Sequence, residues 1–133
     1  HDRSVIANIT DRNITSDLAI RTLRKALESQ PTIKEGLILH SDQGSQYTSK
    51  AFTEFCESVN VTQSMSKAGY PYDNAPMERY FNTLKNECTN LYEFTTEETL
   101  YQKVEEFAYV DYNHVRPHSY NGYRTPYEAR TAA

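Results

Sequence analysis

The 133-residue chain has few of the residues that build cross-linked, membrane-embedded or disordered proteins. Its two cysteines, Cys56 and Cys88, stand alone, with no CxxC pair and no Cys/His spacing typical of metal ligands. No apolar run approaches the roughly 18 residues of a membrane span, and glycine and proline number only four and five. These absences disfavour a disulfide scaffold, a zinc finger, a membrane protein and long disorder. They favour a mixed α/β domain in a reducing cytoplasm.

Positive charge is also scarce. The chain holds 14 Lys and Arg against 18 Asp and Glu, which gives a formal net charge of −4. This balance disfavours a protein that coats phosphate over its whole surface, but it leaves room for a local basic face.

Hydrophobic periodicity predicts the order strand, helix, strand, helix, strand, helix, helix. The strands are predicted at Ser4 to Thr10, at the apolar run Gly36 to His40, and at the alternating segment Val61 to Ser66. The four helices follow the capping residues Ser16, Ser49, Asn74 and Thr95. The strand–helix–strand steps favour parallel pairing. Because three strands make a thin sheet, we expect further strands to precede His1.

Asp42 is the strongest candidate site residue. It follows the second predicted strand directly, in the segment HSDQGSQY. Ligands of open α/β sheets bind in the loops at the carboxyl ends of strands, and Gly44 leaves the backbone open to close approach. An ordinary strand-ending turn explains the same two residues, so both interpretations stand at this point.

Glu78 and Lys85 form a second candidate pair on the third predicted helix. They are seven residues apart, which places them about 10.5 Å from each other along one helix face. The pair could present a metal ligand and a phosphate contact side by side. The alternative is a solvated helix face, in which Glu78 is favoured by the helix dipole.

Candidate nucleic-acid contacts lie before this helix and near the C-terminus. The polar loop from Ser66 to Asn74 contains Lys67, which could contact phosphate, and Tyr72, which could stack on a base. A surface loop with no ligand has the same composition. Arg116 could likewise contact phosphate or pair with a nearby glutamate.

Three separated motifs occur in register: HSDQGSQYTS, SMSKAGYPYDNAPMERYFNTLKNE and YNHVRPHSYNGYRTPYEA. Together they resemble the catalytic core of bacterial insertion-sequence transposases, the retroviral-integrase-like DDE group with an integrase core domain. Asp42 and Glu78 are 36 positions apart, so that 35 residues intervene, as in the D-35-E spacing of this group. Lys85 matches the basic residue that the group carries seven positions after its glutamate. The likeness covers nearly the whole chain.

The resemblance implies an α/β, ribonuclease-H-like fold with a mixed central sheet flanked by helices. In that group three carboxylates hold two divalent ions, normally Mg²⁺ with Mn²⁺ as a substitute, and Asp42 and Glu78 would be the second and third. The implied activity is hydrolysis of a phosphodiester at the element ends, followed by transfer of the 3′-OH into target DNA. The expected DNA contacts are Lys67, Tyr72, Asn74, Arg79, Lys85 and Arg116. The group acts as homo-oligomers on paired DNA ends.

The first aspartate of the group lies in a hairpin that precedes the matched segment. Asp2 and Asp11 lie at the wrong ends of the first predicted strand to replace it. We therefore interpret residues 1–133 as a single, partial catalytic core domain that lacks this hairpin, and we expect no strand transfer from it alone.

Two other functions remain open. One is a ribonuclease-H-like nuclease that cuts DNA but does not join it. The other is a catalytically dead module for DNA docking or dimerisation. The acidic net charge predicts weak DNA binding in each case.

Overall fold

The computed structural model describes residues 2–30, 36–67 and 75–132. They form two compact units, which are treated separately below. Unit 1 combines the chain up to Thr10 with the chain from Pro76 onward, and unit 2 is Asp11–Ala75.

Among its described residues, unit 2 holds a parallel pair of strands and three helices. The elements are α1 (Ser16–Ser29), β1 (Ile38–Ser41), α2 (Ser45–Thr48), α3 (Lys50–Ser58) and β2 (Thr62–Met65). β1 pairs with β2 in parallel, from Ile38 opposite Thr62 to Ser41 opposite Met65. The parallel pairing predicted from the strand–helix–strand order is confirmed for these two strands, with α2 and α3 in the connection between them.

Helix caps in unit 2 follow the expected serine and threonine chemistry. The Ser49 hydroxyl accepts the Phe52 amide at 3.2 Å and begins α3, as predicted. At α1 the cap is Thr15 rather than the predicted Ser16, because the Thr15 hydroxyl accepts the Leu18 amide at 3.1 Å. A shift of one residue is ordinary at helix ends.

The core of unit 2 is mainly aliphatic. Leu23, Phe52, Cys56 and Val61 are buried, and partly buried apolar residues from α1, β1 and α3 pack around them. Spacings of three and four residues along α3 bring Phe52 and Cys56 to one helix face. This core supports the end of β1, where Asp42 follows.

Unit 1 is helical among its described residues. Its elements are α4 (Ala75–Glu87), a 3₁₀ turn (Thr89–Leu91), α5 (Glu97–Glu106), a π-helix (Phe107–Val115), a second 3₁₀ turn (Ser119–Asn121) and α6 (Pro126–Thr131). α5 begins after Thr96, whose hydroxyl accepts the Thr99 amide at 3.1 Å, one residue beyond the predicted Thr95. α5 runs directly into the π-helix. There the Arg116 amide reaches back five residues to the Asp111 carbonyl at 2.7 Å.

The core of unit 1 is aromatic. Tyr80 of α4 packs edge-on against Tyr112 of the π-helix, with ring centroids 4.9 Å apart, and Phe107 and Cys88 are buried beside them. Tyr80 and Cys88 face the core, whereas Met77 and Phe81 are half exposed.

The strand predicted at Ser4 to Thr10 does not form in the structure, where residues 2–10 have no strand assignment. Distant side chains hold this backbone instead. Asn113 bonds both backbone groups of Val5: its Oδ1 accepts the amide at 2.7 Å and its Nδ2 donates to the carbonyl at 2.8 Å. The Tyr109 hydroxyl lies 2.6 Å from the Asn8 amide and accepts its hydrogen bond. The β-branched residues of this segment predicted an extended backbone, but they did not indicate which groups form hydrogen bonds with it.

Both cysteines are free and buried, consistent with the predicted absence of a disulfide scaffold. Across residues 2–30, 36–67 and 75–132, no helix combines the length and apolar character that spanning a membrane requires.

Candidate metal and DNA site

Asp42 lies directly after β1 and shapes the turn that follows. Its Oδ1 accepts the Gly44 amide at 2.8 Å, and the Ser41 hydroxyl donates to the Asp42 carbonyl at 2.8 Å. The Asp42 side chain is exposed. The turn interpretation and the site interpretation are therefore compatible, because the turn uses one carboxylate oxygen and leaves the side chain accessible.

A side chain at Gly44 would crowd two neighbouring side chains. A Cβ at this position would lie 2.9 Å from Asp42 Oδ1 and 2.8 Å from Gln46 Oε1. From the sequence we expected Gly44 to open the backbone to a ligand. In the structure it makes room for the carboxylate of Asp42 itself.

Ser66 joins the ends of the two strands beside Asp42. Its amide donates to the Ser41 carbonyl at 2.9 Å, its hydroxyl lies 3.0 Å from His40 Nε2, and its carbonyl accepts Gln43 Nε2 at 3.1 Å. The other ring nitrogen of His40 lies 3.0 Å from the Ser64 hydroxyl. Our sequence reasoning missed this network, because it depends on the parallel register between residues more than 20 positions apart.

Lys67 follows the buried Ser66 directly and is exposed. The Ser66 network therefore fixes the backbone from which the Lys67 side chain extends. Tyr72 and Asn74, the two other predicted contacts in this loop, lie outside the described residues.

The charge of Asp42 affects the pKa of Tyr47, which lies in the short helix α2. Burial raises the pKa of the Tyr47 phenol, and the negative charge of Asp42 raises that pKa further. The Tyr47 ring packs edge-on against Phe52 at 5.5 Å. The turn at Asp42 is thereby linked to the core of its unit.

Glu78, Arg79 and Lys85 are all exposed on α4. Glu78 lies in the first turn and Lys85 in the last, at the helix ends where the dipole favours an acid and a base respectively. Seven residues of α-helix place Glu78 and Lys85 two turns apart, about 10.5 Å along the axis.

Arg116 forms the ion pair that the sequence had left as an alternative to phosphate binding. Its Nε lies 2.9 and 3.0 Å from the two carboxylate oxygens of Glu87 at the end of α4. This contact links α4 to the segment after the π-helix within unit 1.

The donor chemistry fits a hard divalent cation. Asp42 and Glu78 offer exposed carboxylate oxygens, and Mg²⁺ typically binds one or two carboxylates together with phosphates of the substrate. Within the described residues, no three His, Cys, Asp or Glu side chains form a group that could hold a metal ion. Asp42 belongs to unit 2 and Glu78 to unit 1.

Comparison with known sequences points to one family over most of the chain. Two family models match it, and both are described as an integrase core domain. One matches residues 1–71 and the other matches residues 59–126. The transposase for insertion sequence element IS904 of Lactococcus lactis is 43% identical over 91 residues, covering 68% of this chain and 36% of that protein. The transposase InsF for insertion sequence IS3A of Escherichia coli is 34% identical over 124 residues, covering 93% of this chain and 43% of that protein. The chain thus spans about two fifths of the length of these curated relatives.

Solved structures show the fold. A chain of the simian T-cell lymphotropic virus intasome, solved with the PP2A regulatory subunit B56 gamma, aligns with a TM-score of 0.70 at 17% identity, over 92% of this chain and 42% of that chain. The catalytic core domain of BIV integrase aligns with a TM-score of 0.59 at 19% identity, over 96% of this chain and 77% of that chain. These neighbours confirm the ribonuclease-H-like fold. From the family matches and the sequence likeness, the chain belongs to the integrase core domain family, in the branch of the insertion-sequence transposases.

Proposed function

We propose that this chain is the catalytic core of a DNA transposase, which hydrolyses a phosphodiester at the ends of its element and transfers the freed 3′-OH into target DNA. The carboxylate of Asp42 carries the proposal. It is exposed at the carboxyl end of β1, it is supported by the Gly44 amide, and 35 residues separate it from Glu78 in a chain of the integrase core family.

Asp42 and Glu78 would bind the divalent ions, Mg²⁺ or Mn²⁺, through their carboxylate oxygens. When bound, such ions supply activation of the attacking oxygen and stabilisation of the leaving oxygen at phosphorus. The Asp42 turn holds its carboxylate in place through the Gly44 amide, so that part of the orientation exists before any ligand binds.

The side chains proposed to hold DNA are those of Lys67, Tyr72, Asn74, Arg79, Lys85 and Arg116. Lys67, Arg79 and Lys85 are exposed cations that can contact phosphates on either strand without reading sequence. Arg116 is engaged with Glu87, so we assign it the weakest contribution of the set.

The curated relatives extend beyond the part that this chain matches, and we propose that the additional part of a whole transposase has two functions. It would supply the first aspartate of the metal site and the recognition of the element ends. Residues 1–133 would then form one partial catalytic core domain, without strand transfer of its own, acting within a homo-oligomer on DNA in the bacterial cytoplasm.

Metal titration tests the two carboxylates. Isothermal titration of Mn²⁺ into the chain is expected to show binding. Asp42→Asn and Glu78→Gln should each weaken the affinity for Mn²⁺ at least tenfold, because each variant removes a direct ligand. Glu57→Gln is the matched control, since it removes an exposed carboxylate of unit 2 outside the site. Equal heats from the wild type and both site variants would overturn the assignment and favour the catalytically dead module.

Product analysis tests the reaction. The chain extended by its natural upstream sequence, incubated with Mg²⁺ and labelled element-end DNA, is expected to yield joined strands that Asp42→Asn abolishes. Cleaved but unjoined DNA would overturn strand transfer and indicate the nuclease.

A further inference from the structure

Unit 1 carries a cluster of exposed aromatic and cationic side chains that the proposed catalytic residues do not use. We name it the aromatic turn: it consists of Tyr120–Arg124 together with Arg3. The ring of Tyr120 is 64% exposed and that of Tyr123 is 76% exposed. The guanidinium of Arg3 lies 4.1 Å from the centroid of the Tyr120 ring.

The backbone of the turn is strained at Tyr123, whose side chain is largely exposed. Gly122 and Tyr123 both adopt positive φ, at 64° each, and the Arg124 amide closes the turn on the Asn121 carbonyl at 3.3 Å. This geometry is that of a type I′ turn, in which glycine is favoured at both central positions. Tyrosine at positive φ is costly, and the exposed ring of Tyr123 recovers little by burial. Strain held at an exposed side chain is typical of binding sites.

The turn is anchored on both sides. Asn121 Nδ2 donates to the Asp2 carbonyl at 2.8 Å, next to Arg3, and the Tyr123 amide donates to the His118 carbonyl at 2.8 Å. Arg3 itself has a φ of 66°. The backbone that carries these side chains is therefore held by hydrogen bonds on both sides of the turn.

The local charge opposes that of the chain. The aromatic turn contains two arginines, Arg3 and Arg124, and no acidic residue, although the whole chain has a net charge of −4. In proteins that bind single-stranded nucleic acid, unpaired bases stack on exposed aromatic rings. Neighbouring arginines contribute cation–π contacts and attract the phosphates.

We propose that the aromatic turn binds single-stranded DNA, with bases stacked on Tyr120 and Tyr123 and phosphates held by Arg3 and Arg124. This inference rests on the proposed function for its choice of DNA. It adds a contact surface that uses none of the residues proposed above to bind metal or DNA.

Fluorescence anisotropy with a labelled oligothymidine of about 16 nucleotides, in EDTA, tests the surface without metal. Tyr123→Gly is expected to weaken the Kd about tenfold while the thermal midpoint stays the same or rises, because glycine relieves the strain. Tyr123→Phe keeps the ring and is expected to retain the affinity. Arg3→Ala is expected to weaken the Kd and reduce its salt dependence.

Tyr92→Ala is the matched control. Tyr92 is 50% exposed and carries the Lys103 ammonium 4.7 Å from its ring centroid, but glutamates follow it at Glu93, Glu97 and Glu98. We expect this variant to bind as the wild type does. Equal loss in Tyr92→Ala, or wild-type affinity in Tyr123→Gly, would overturn the proposal.

The two proposals fail separately. Wild-type oligonucleotide affinity in Tyr123→Gly, together with DNA joining that Asp42→Asn abolishes, would refute only the aromatic turn. Weakened affinity in Tyr123→Gly, together with equal metal binding by the wild type and Asp42→Asn, would refute only the metal site.

Discussion

Unit 2 and unit 1 are stabilised in different ways. Unit 2 packs Leu23, Phe52, Cys56 and Val61 around a parallel strand pair. Unit 1 packs aromatic rings, with Tyr80 at 4.9 Å from Tyr112 and both against Phe107. The first core is close-packed mainly through aliphatic contacts, whereas the second depends on edge-on ring geometry.

The units also differ in how they satisfy their backbone. In unit 2, ladder bonds and local serine or threonine caps account for the strand pair and for the starts of α1 and α3. In unit 1, Asn113 and Tyr109 hold Val5 and Asn8, more than 100 positions away in the chain. Unit 2 thus pairs two strands 24 positions apart in the chain, whereas unit 1 also depends on bonds from side chains to backbone more than 100 positions away. We therefore expect different substitutions to destabilise the two units.

The largest loss of stability is expected from a substitution in the core of unit 2. Phe52→Ala removes a ring that is 1% exposed and should lower the free energy of unfolding by about 3–5 kcal/mol, because the cavity cannot close fully. Urea unfolding measures the loss. Phe81→Ala is the control: this ring is 50% exposed, and the expected cost is under about 1 kcal/mol. Similar losses in both variants would show that the described core does not carry the stability.

A smaller effect is expected where unit 1 holds its first segment. Asn113→Ala leaves the Val5 amide and carbonyl without their partners, at a cost of about 2–4 kcal/mol. Hydrogen exchange at the Val5 amide should accelerate accordingly. Asn86→Ala, on the exposed face of α4, should leave this exchange unchanged. An unaltered Val5 amide in Asn113→Ala would contradict the long-range bond.

The smallest effect concerns the aromatic core. The Tyr80 hydroxyl is buried and has no hydrogen-bond partner in the part of the chain that the structure describes, so Tyr80→Phe should stabilise the protein by about 1 kcal/mol. Burial raises the pKa of Tyr80 from 10.0 to about 12. The fold therefore favours the neutral phenol, and this contribution to stability is present below pH 10.0 and is lost as the pH rises towards about 12.

Thermal unfolding between neutral pH and about pH 12 checks this expectation, because wild type should lose more stability over that range than Tyr80→Phe. Tyr120→Phe, at an exposed ring, should follow the wild type. Parallel curves for wild type and Tyr80→Phe would contradict the buried state of the hydroxyl.

Several features were predictable because their causes are local. The apolar run before Asp42 indicated β1, and Ser49 indicated the start of α3. The exposed positions of Asp42 and Glu78 agree with their proposed roles, which stay predictions. The Ser66 network and the pairing of Arg116 with Glu87 needed coordinates, because each joins residues more than 20 positions apart.

The sequence by itself determined the family, the order of α1, β1, α3 and β2 in unit 2 and the place of Asp42 after β1, since periodicity, capping and motif patterns act over a few residues or recur within a family. Only the tertiary structure decided that the β-branched segment at Ser4 to Thr10 is held by Asn113 and Tyr109 rather than by a strand. Only the structure showed that Tyr123 is strained at positive φ. Backbone groups accept any geometrically suitable partner, so which distant side chain satisfies them depends on where the folded chain places it.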